Sequence, residues 1–420
     1  MAVLRLISIF FVYQGVLFLV VAPTFGAENM RLNLEQVVQI ALERNLELKA
    51  KREELGIAEG KVIRANLFLQ HNPELEGEAG NFKVTRGEPA FARNQTNFGF
   101  SLSQELEIGG QPTYRREAAQ GNLEKVKLEI GEFERTLRFR ITELFLKLLN
   151  TQTKIKQGEQ IIDLRSRLFE ASKTRLALGD IPEVQVTIAE FDLNRARSDV
   201  IGSQREYEEL LSRLRTDLAL ENNGIEIVGD LTRTAPPISP DELLKTALER
   251  RPDLAAVERE KKVTEAEELL TRAERIPNIK LGAFYDRAKQ EGGYIAGGRI
   301  SIPLPLFDRK QAELREALAR KSIANLNYIN RRQTLEKEIR AAHAKFKLAE
   351  RDLSLYPEDT LKKFDENLQL NQRAYQEGQI DLSGAILFQN QVAEARLKYL
   401  EALSNYNLSL AELKFQAGIE

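Results

Sequence analysis

Apolar residues recur at intervals of seven over unusually long distances in this chain. One series runs Leu123, Ile130, Leu137, Leu144 and, after a step of four, Leu148, Ile155, Ile162, Phe169 and Leu176. Sevens broken by one insertion of four are the pattern of a coiled coil with a stutter, which locally unwinds the supercoil. No proline lies between about 113 and 178. The spacing therefore predicts one continuous helix of roughly 100 Å, at about 1.5 Å per residue. A second series, Val186, Leu193, Val200, Tyr207 and Leu214, predicts a helix that returns along the first. The device recurs later as Ile339, Phe346, Leu353, then Leu361, Leu368, Tyr375, and finally Ala385, Val392, Tyr399, Tyr406, Leu413. The later long helix skips by eight across Pro357, which predicts a kink or break there. Gly158 is the aligned position in the first half, and a weak point is expected at the same height.

Between the medium and long helices the period changes from seven to two. In 73–80 Leu75, Gly77 and Ala79 alternate with Glu74, Glu76 and Glu78, and in 96–106 Phe98, Phe100 and Leu102 alternate with Asn97, Gly99, Ser101 and Ser103. Later, Ile279, Leu281, Ala283 and Tyr285 alternate with Asn278, Lys280, Gly282 and Asp286, and Ile300, Ile302 and Leu304 alternate with Arg299 and Ser301. Strands are expected at about 73–82, 95–107, 278–287 and 294–306. Two readings stand: hairpins whose apolar face covers a soluble core, or pieces of an outer-membrane barrel. The helices offer no obvious globular core for hairpins to cover, which favours the barrel. Four strands cannot enclose a lumen, and a conducting lumen favours twelve strands from three chains over eight from two. The polar faces then place Glu74, Glu76, Glu78, Lys280 and Arg299 in the barrel lumen.

The two halves repeat one plan. The segment 33–48 matches 239–254 at an offset of 206, including the helix-start pairs Asn33 with Gln36 and Ser239 with Glu242. Pro240 occupies the first helical position, where its missing N–H costs nothing. Further along the offset settles near 199: Arg116-Glu117-Ala118 matches Arg315-Glu316-Ala317, Gly179 matches Gly378, Ile181 matches Ile380, and Tyr207 matches Tyr406. The organisation read from this is a first repeat over 28–220, with its long helix hairpin at 113–220, and a loop-like linker at 221–238. A second repeat follows over 239–420, with its hairpin at 308–417. The turns 175–183 and 375–382 lie at the end of the molecule far from the strands, with Gly179 and Gly378 as natural left-handed helix ends.

Residues 1–27 read as a secretory signal peptide: Arg5 near the start, an apolar stretch from Leu6 to Val21, then a small-residue exit with cleavage after Gly26 or Ala27. Composition then removes whole classes of chemistry. Cysteine is absent, and there are two histidines and two methionines among 420 residues, which argues against thiolate, His-rich or Met-rich metal sites. Neither His71 nor His343 sits by a serine elbow, so no catalytic pair survives and no cofactor is expected. A formal net charge of -2 gives no bulk electrostatic case for nucleic acid.

A signal peptide, a tandem duplication, two hairpins and four very long helices resemble the TolC-like outer membrane efflux proteins. The segments 103–111 (SQELEIGGQ), 115–119 (RREAA) and 301–319 (SIPLPLFDRKQAELREALA) resemble the CzcC and CusC branch, outer-membrane channels of heavy-metal efflux. The resemblance implies a mostly α fold with a membrane β-barrel: a homotrimer whose long-helix coiled coils form an α-barrel and whose four strands per chain close as twelve. It also implies a chain anchored in outer-membrane lipid and extending into the periplasm. Its partners would be a periplasmic adaptor (membrane fusion) protein and an inner-membrane pump of the resistance-nodulation-division type. In such proteins the tip turns meet the adaptor, which makes Arg175, Gly179, Ile181, Gly378 and Ile380 candidate contacts. Threefold symmetry would turn Asp180, Glu183 and Asp381 into rings at the gate or mouth. Two departures stand out: the lipidated N-terminal cysteine usual in CusC-type members is missing, and Gly384 and Leu387 occupy the positions of the paired aspartates of TolC. The function implied is passive export, with metal ions as cargo; drugs or secreted polypeptide remain open, as does an exported structural coiled coil.

Overall fold

The computed structural model describes residues 30–86, 91–220, 224–231, 233, 239–288, 293–357 and 359–419. The expected signal peptide lies outside the described residues, as does part of the expected linker. Strand β1 (Met30–Leu32) is followed by α1 (Leu34–Arg44), α2 (Leu46–Ala65), β2 (Glu74–Arg86), β3 (Phe91–Leu106), α3 (Gln111–Ala177) and α4 (Glu183–Asp217). After β4 (Ile225–Ile227) the order repeats as α5 (Pro240–Arg250), α6 (Pro252–Ala273), β5 (Ile279–Ala288), β6 (Tyr294–Ser301), α7 (Gln311–Ser354), α8 (Thr360–Gln376) and α9 (Leu382–Ala417). Among the described residues, no helix is long and apolar enough to cross a membrane.

The helix starts follow local chemistry. At α1 the Asn33 side chain accepts from the Gln36 N–H while Gln36 reaches back to the Asn33 N–H, the reciprocal pair expected from the sequence. Ser239 stands at the start of α5 without a capping hydrogen bond, and Pro240 is the first helical residue. Within the expected linker, β4 pairs in parallel with β1, Met30 opposite Ile225 and Leu32 opposite Ile227. Three-residue strands carry too little period to show in a sequence.

Helix α3 runs 67 residues without interruption, about 100 Å. The weak point expected at Gly158 is absent, because that glycine serves packing: a Cβ there would come 2.5 Å from Val200 Cγ2 on α4. The break at Pro357 is present, between Ser354 and Thr360. Arg233 fills it by donating to the carbonyls of Tyr356 (2.8 Å) and Leu353 (3.1 Å), at the end of the helix where backbone oxygens run short of helical donors. Strand β6 stops at Ser301 instead of continuing to 306, because Pro303 and Pro305 lack the N–H that a ladder needs.

Two large apolar clusters lie at the helical bases, one around Leu48, Leu137 and Leu214 and one around Leu335, Phe346 and Leu413, and a smaller third gathers near the turns. On α9 all five expected spine residues are buried within the single chain. On α3 only Leu123, Leu137 and Leu148 of the spine are, while Ile155, Ile162, Phe169 and Leu176 are half-buried.

Four helices end in the same double hydrogen-bond closure, and three use glycine in the left-handed conformation: Gly179 (φ 79°), Gly378 (φ 75°) and Gly418 (φ 68°). The fourth is Ala219 at φ 50°, whose N–H donates to Thr216 O while the Leu220 N–H donates to Arg215 O. A Cβ in that conformation costs roughly 1 kcal/mol. Ala219→Gly should therefore raise stability by about 0.5–1 kcal/mol, part of the relief being offset by unfolded-state entropy. A urea or thermal midpoint at or below wild type would contradict this.

Candidate functional site

The two hairpins form one antiparallel sheet in the order β2-β3-β5-β6. Pairing places Glu76 opposite Ser101, Glu105 opposite Lys280, Ser103 opposite Gly282, and Gly282 opposite Arg299. Paired residues share a face, so Glu74, Glu76, Glu78, Lys280 and Arg299 lie together on one side. Lys280 ion-pairs with Glu74, Ser101 Oγ donates to Glu76 at 3.1 Å, and the Arg299 guanidinium lies 5.3 Å from the Phe284 ring centre. The other side carries Leu75, Phe100, Leu102, Tyr285 and Ile300, all exposed in the single chain. An apolar face left open opposite a polar one is the arrangement of a lipid-facing barrel wall. The sheet does not close on itself: β2 and β6 are edges.

Where sheet meets helix, Gln111 is fully buried at the start of α3. Its side chain accepts from the Gly109 N–H at 2.8 Å and donates to Asn278 Oδ1 at 3.2 Å, while Asn278 donates to Glu105 at 2.7 Å. Barrel and helices are thus joined by a satisfied polar network rather than by a loop alone.

At the opposite end, both turns close alike. The Gly179 N–H donates to Leu176 O and the Asp180 N–H to Arg175 O, each at 2.9 Å; the Gly378 N–H donates to Tyr375 O (3.0 Å) and the Gln379 N–H to Ala374 O (2.8 Å). The turns differ beneath that backbone. Ile181 is buried and Ile380 is half-buried against a cluster of Leu168, Ala189, Tyr375, Leu382 and Ala385. Arg175 lies over the Tyr375 ring at 5.2 Å, so this candidate contact also ties the two hairpins together. Asp180, Glu183 and Asp381 are exposed. Asp381 has a structural duty as well: its Oδ1 accepts from the Gly384 N–H at 2.9 Å, capping α9.

Sequence patterning missed a buried polar layer about 20 Å from the turns. Arg165 Nε faces Asp192 Oδ2 at 3.1 Å, while its other nitrogens donate to Asp192 O (3.0 Å) and Asn390 Oδ1 (2.6 Å). Burial pushes the Asp192 carboxyl above its usual range, outweighing the pull of Arg165. Arg396, buried on α9, ion-pairs with Asp365 on α8 and reaches Gln160 on α3 at 3.5 Å. Closer to the turns, Ser172 Oγ and Tyr375 OH, both buried, are hydrogen-bonded at 3.0 Å. Counting apolar heptads passes over such residues.

An open sheet with an apolar and a polar side, mounted on helical hairpins whose longest helix runs about 100 Å, has the architecture of an outer-membrane channel subunit. Residues 243–418 match the family described as outer membrane efflux protein. Among curated relatives it is similar to the cobalt-zinc-cadmium resistance protein CzcC of Cupriavidus metallidurans, 24% identical over 391 residues covering 91% of this chain and 89% of that protein. It is also 24% identical to the pyoverdine export outer membrane protein OpmQ of Pseudomonas putida, over 83% of each chain. Among solved structures, CusC superposes with a TM-score of 0.74 at 18% identity, covering 92% of both chains. A membrane protein from Pseudomonas aeruginosa gives 0.76 at 20% identity, over 91% of this chain and 92% of that one. The family is one of channels rather than enzymes.

Proposed function

We propose that three copies close a twelve-stranded barrel in the outer membrane and continue it with their helices as a duct across the periplasm. The duct is passive: an inner-membrane pump supplies the energy and a periplasmic adaptor seals the joint at the turns around Gly179 and Gly378. The observation that carries this reading is the sheet, which has a polar and an apolar face and two unsatisfied edges. The cargo is heavy-metal cations, on the strength of the likeness to CzcC over nearly the whole chain. Two histidines, two methionines and no cysteine leave ion selection to the partners. Deleting the protein should sensitise its host to cobalt, zinc or cadmium. Unchanged metal resistance with loss of a secreted siderophore would move the cargo to the class named for OpmQ.

The tip reading has its own test. Valine at Gly179 or Gly378 would be strained in the left-handed conformation and should displace Ile181 or Ile380, lowering efflux while barrel insertion persists. At Asp381 two substitutions separate charge from capping. Asp381→Asn keeps an acceptor for the Gly384 N–H, whereas Asp381→Ala loses it at about 1 kcal/mol. In bilayer recordings of the channel, combining either with Asp180→Asn should reduce cation preference alike. Unchanged selectivity would remove these carboxylates from the mouth.

A further inference from the structure

Resting on the three-copy reading above, we propose that Arg233 is a hinge pin between α7 and α8. It fixes the angle at which the two helices meet, and its release lets the turn at Gly378 swing away from the turn at Gly179. The strap of chain that carries Arg233 thereby controls the width of the duct at its tip.

The two halves differ in a way that brings a break and a strap together. In the first half β1 ends at Leu32 and the cap residue Asn33 follows at once; in the second, β4 ends at Ile227 and residues 228–238 intervene before Ser239. The half whose strand leads straight into its cap has the unbroken α3. The half with the added segment has the break, and the segment delivers Arg233 to it.

The strap is anchored at the base of the helices. Leu231 packs against both large apolar clusters. The Arg233 carbonyl accepts from Tyr406 OH at 3.0 Å, and the Tyr406 ring lies 5.4 Å from that of Phe346 on α7. From this fixed point two guanidinium nitrogens reach the carbonyls of Tyr356 and Leu353. Beyond the break α8 starts afresh, with the Thr360 N–H and hydroxyl both donating to Pro357 O, at 3.1 and 2.6 Å.

On either side of the break the packing changes in kind. The base is joined by apolar clusters, whose separation would expose buried hydrocarbon. Towards the turns, the second hairpin is tied to the first through Arg165 with Asn390, Gln160 with Arg396, Ser172 with Tyr375 and one small apolar cluster. Hydrogen-bonding groups that separate into water lose little on balance, so the tip can shift where the base cannot. Helices α8 and α9 also meet through polar pairs, Asp365 with Arg396 and Asn371 with Gln389. The buried Gln389 Oε1 has no hydrogen bond among the described residues, an arrangement that a shift of α8 can improve.

Spin labels read this motion directly, and the chain has no cysteine to remove first. Gln379→Cys marks the second turn and Asp180→Cys the first; both residues are exposed. Helix α8 has 17 residues and is about 25 Å long. A tilt of about 10° at the break moves its turn by about 4 Å, which threefold symmetry makes about 7 Å between labels on neighbouring copies. In detergent-solubilised trimers, Arg233→Met should widen the distance between Gln379→Cys labels by that amount and leave the Asp180→Cys distance unchanged. Tyr406→Phe removes one hydroxyl and with it the anchor of the strap, and should widen the same distance in the same direction. Where Arg233→Met fails to assemble, Tyr406→Phe decides alone. Arg135→Met is the control: Arg135 also donates to a helix-end carbonyl, that of Phe415, but within the base, and both distances should stay as in wild type. No widening in either strap variant, or equal widening at both turns, overturns the hinge pin and leaves the channel reading standing. A wild-type protein that is monomeric in detergent overturns the three-copy reading itself.

Discussion

Arg165→Met should destabilise the channel subunit by about 3–5 kcal/mol, the usual result of removing one partner from a buried pair. The guanidinium is nearly enclosed and bridges three helices, α3, α4 and α9, through Asp192 and Asn390. Without it the Asp192 carboxylate remains largely buried, held by the Asn390 side chain and the charge of Arg195 but with its ion-pair partner gone. Arg165→Met combined with Asp192→Leu should recover most of the loss, because no charge is then left behind. The sign with pH follows. Burial already holds the folded Asp192 above its ordinary value of 3.8, and loss of Arg165 raises it further. A raised folded value favours the protonated native state, so the deficit relative to wild type should be smallest near that ordinary value. It should grow as pH rises through the folded one. Thermal melts of the detergent-solubilised protein at several pH values would read this. A deficit that is constant with pH, or a double variant as weak as the single, would mean the pair is not what joins these helices.

The long-range plan was legible in the sequence because heptads and alternation are periodic over many residues. Helix α3, the break at Pro357, the four strands and the glycines of both turns all follow from spacing and from two special residue types. What escaped was set by single contacts. Gly158 reads as a flexible point in a helix, yet its use is to admit Val200. Strand β4 is three residues long and is fixed by β1, nearly two hundred residues away. Strand β6 looks apolar and alternating through Leu304, but two missing N–H groups end it at Ser301. At the tip, the sequence placed Asp381 among free acids, while the structure gives it a backbone N–H to hold. Arg165 and Arg396 were invisible because a charged residue at a helical position reads as solvated unless a partner on another helix is known.

Leu413→Asp should abolish accumulation of the trimer, and Leu176→Asp should not. Both residues belong to seven-residue series and look equivalent in sequence, but their surroundings differ. Leu413 is 1% exposed and lies in the base cluster with Leu335, Phe346 and Tyr406. Losing the leucine there costs roughly 2–5 kcal/mol. Its replacement must either bury a carboxylate without a partner or take up a proton, for several kcal/mol more. Together these rival the whole stability of a typical domain, about 5–15 kcal/mol. The effect arises inside one chain, before any copy meets another. Leu176 is half-buried beside an exposed turn, so an aspartate there keeps water and the chain should fold. Trimer yield in outer membranes measures both, and a wild-type yield for Leu413→Asp would mean that the α9 spine does not hold the second half together. A collapse of Leu176→Asp to monomers with intact helix content would show something else. It would mean that the half-buried end of the α3 spine is covered by a neighbouring copy, and that the coiled coil continues between chains down to the turns.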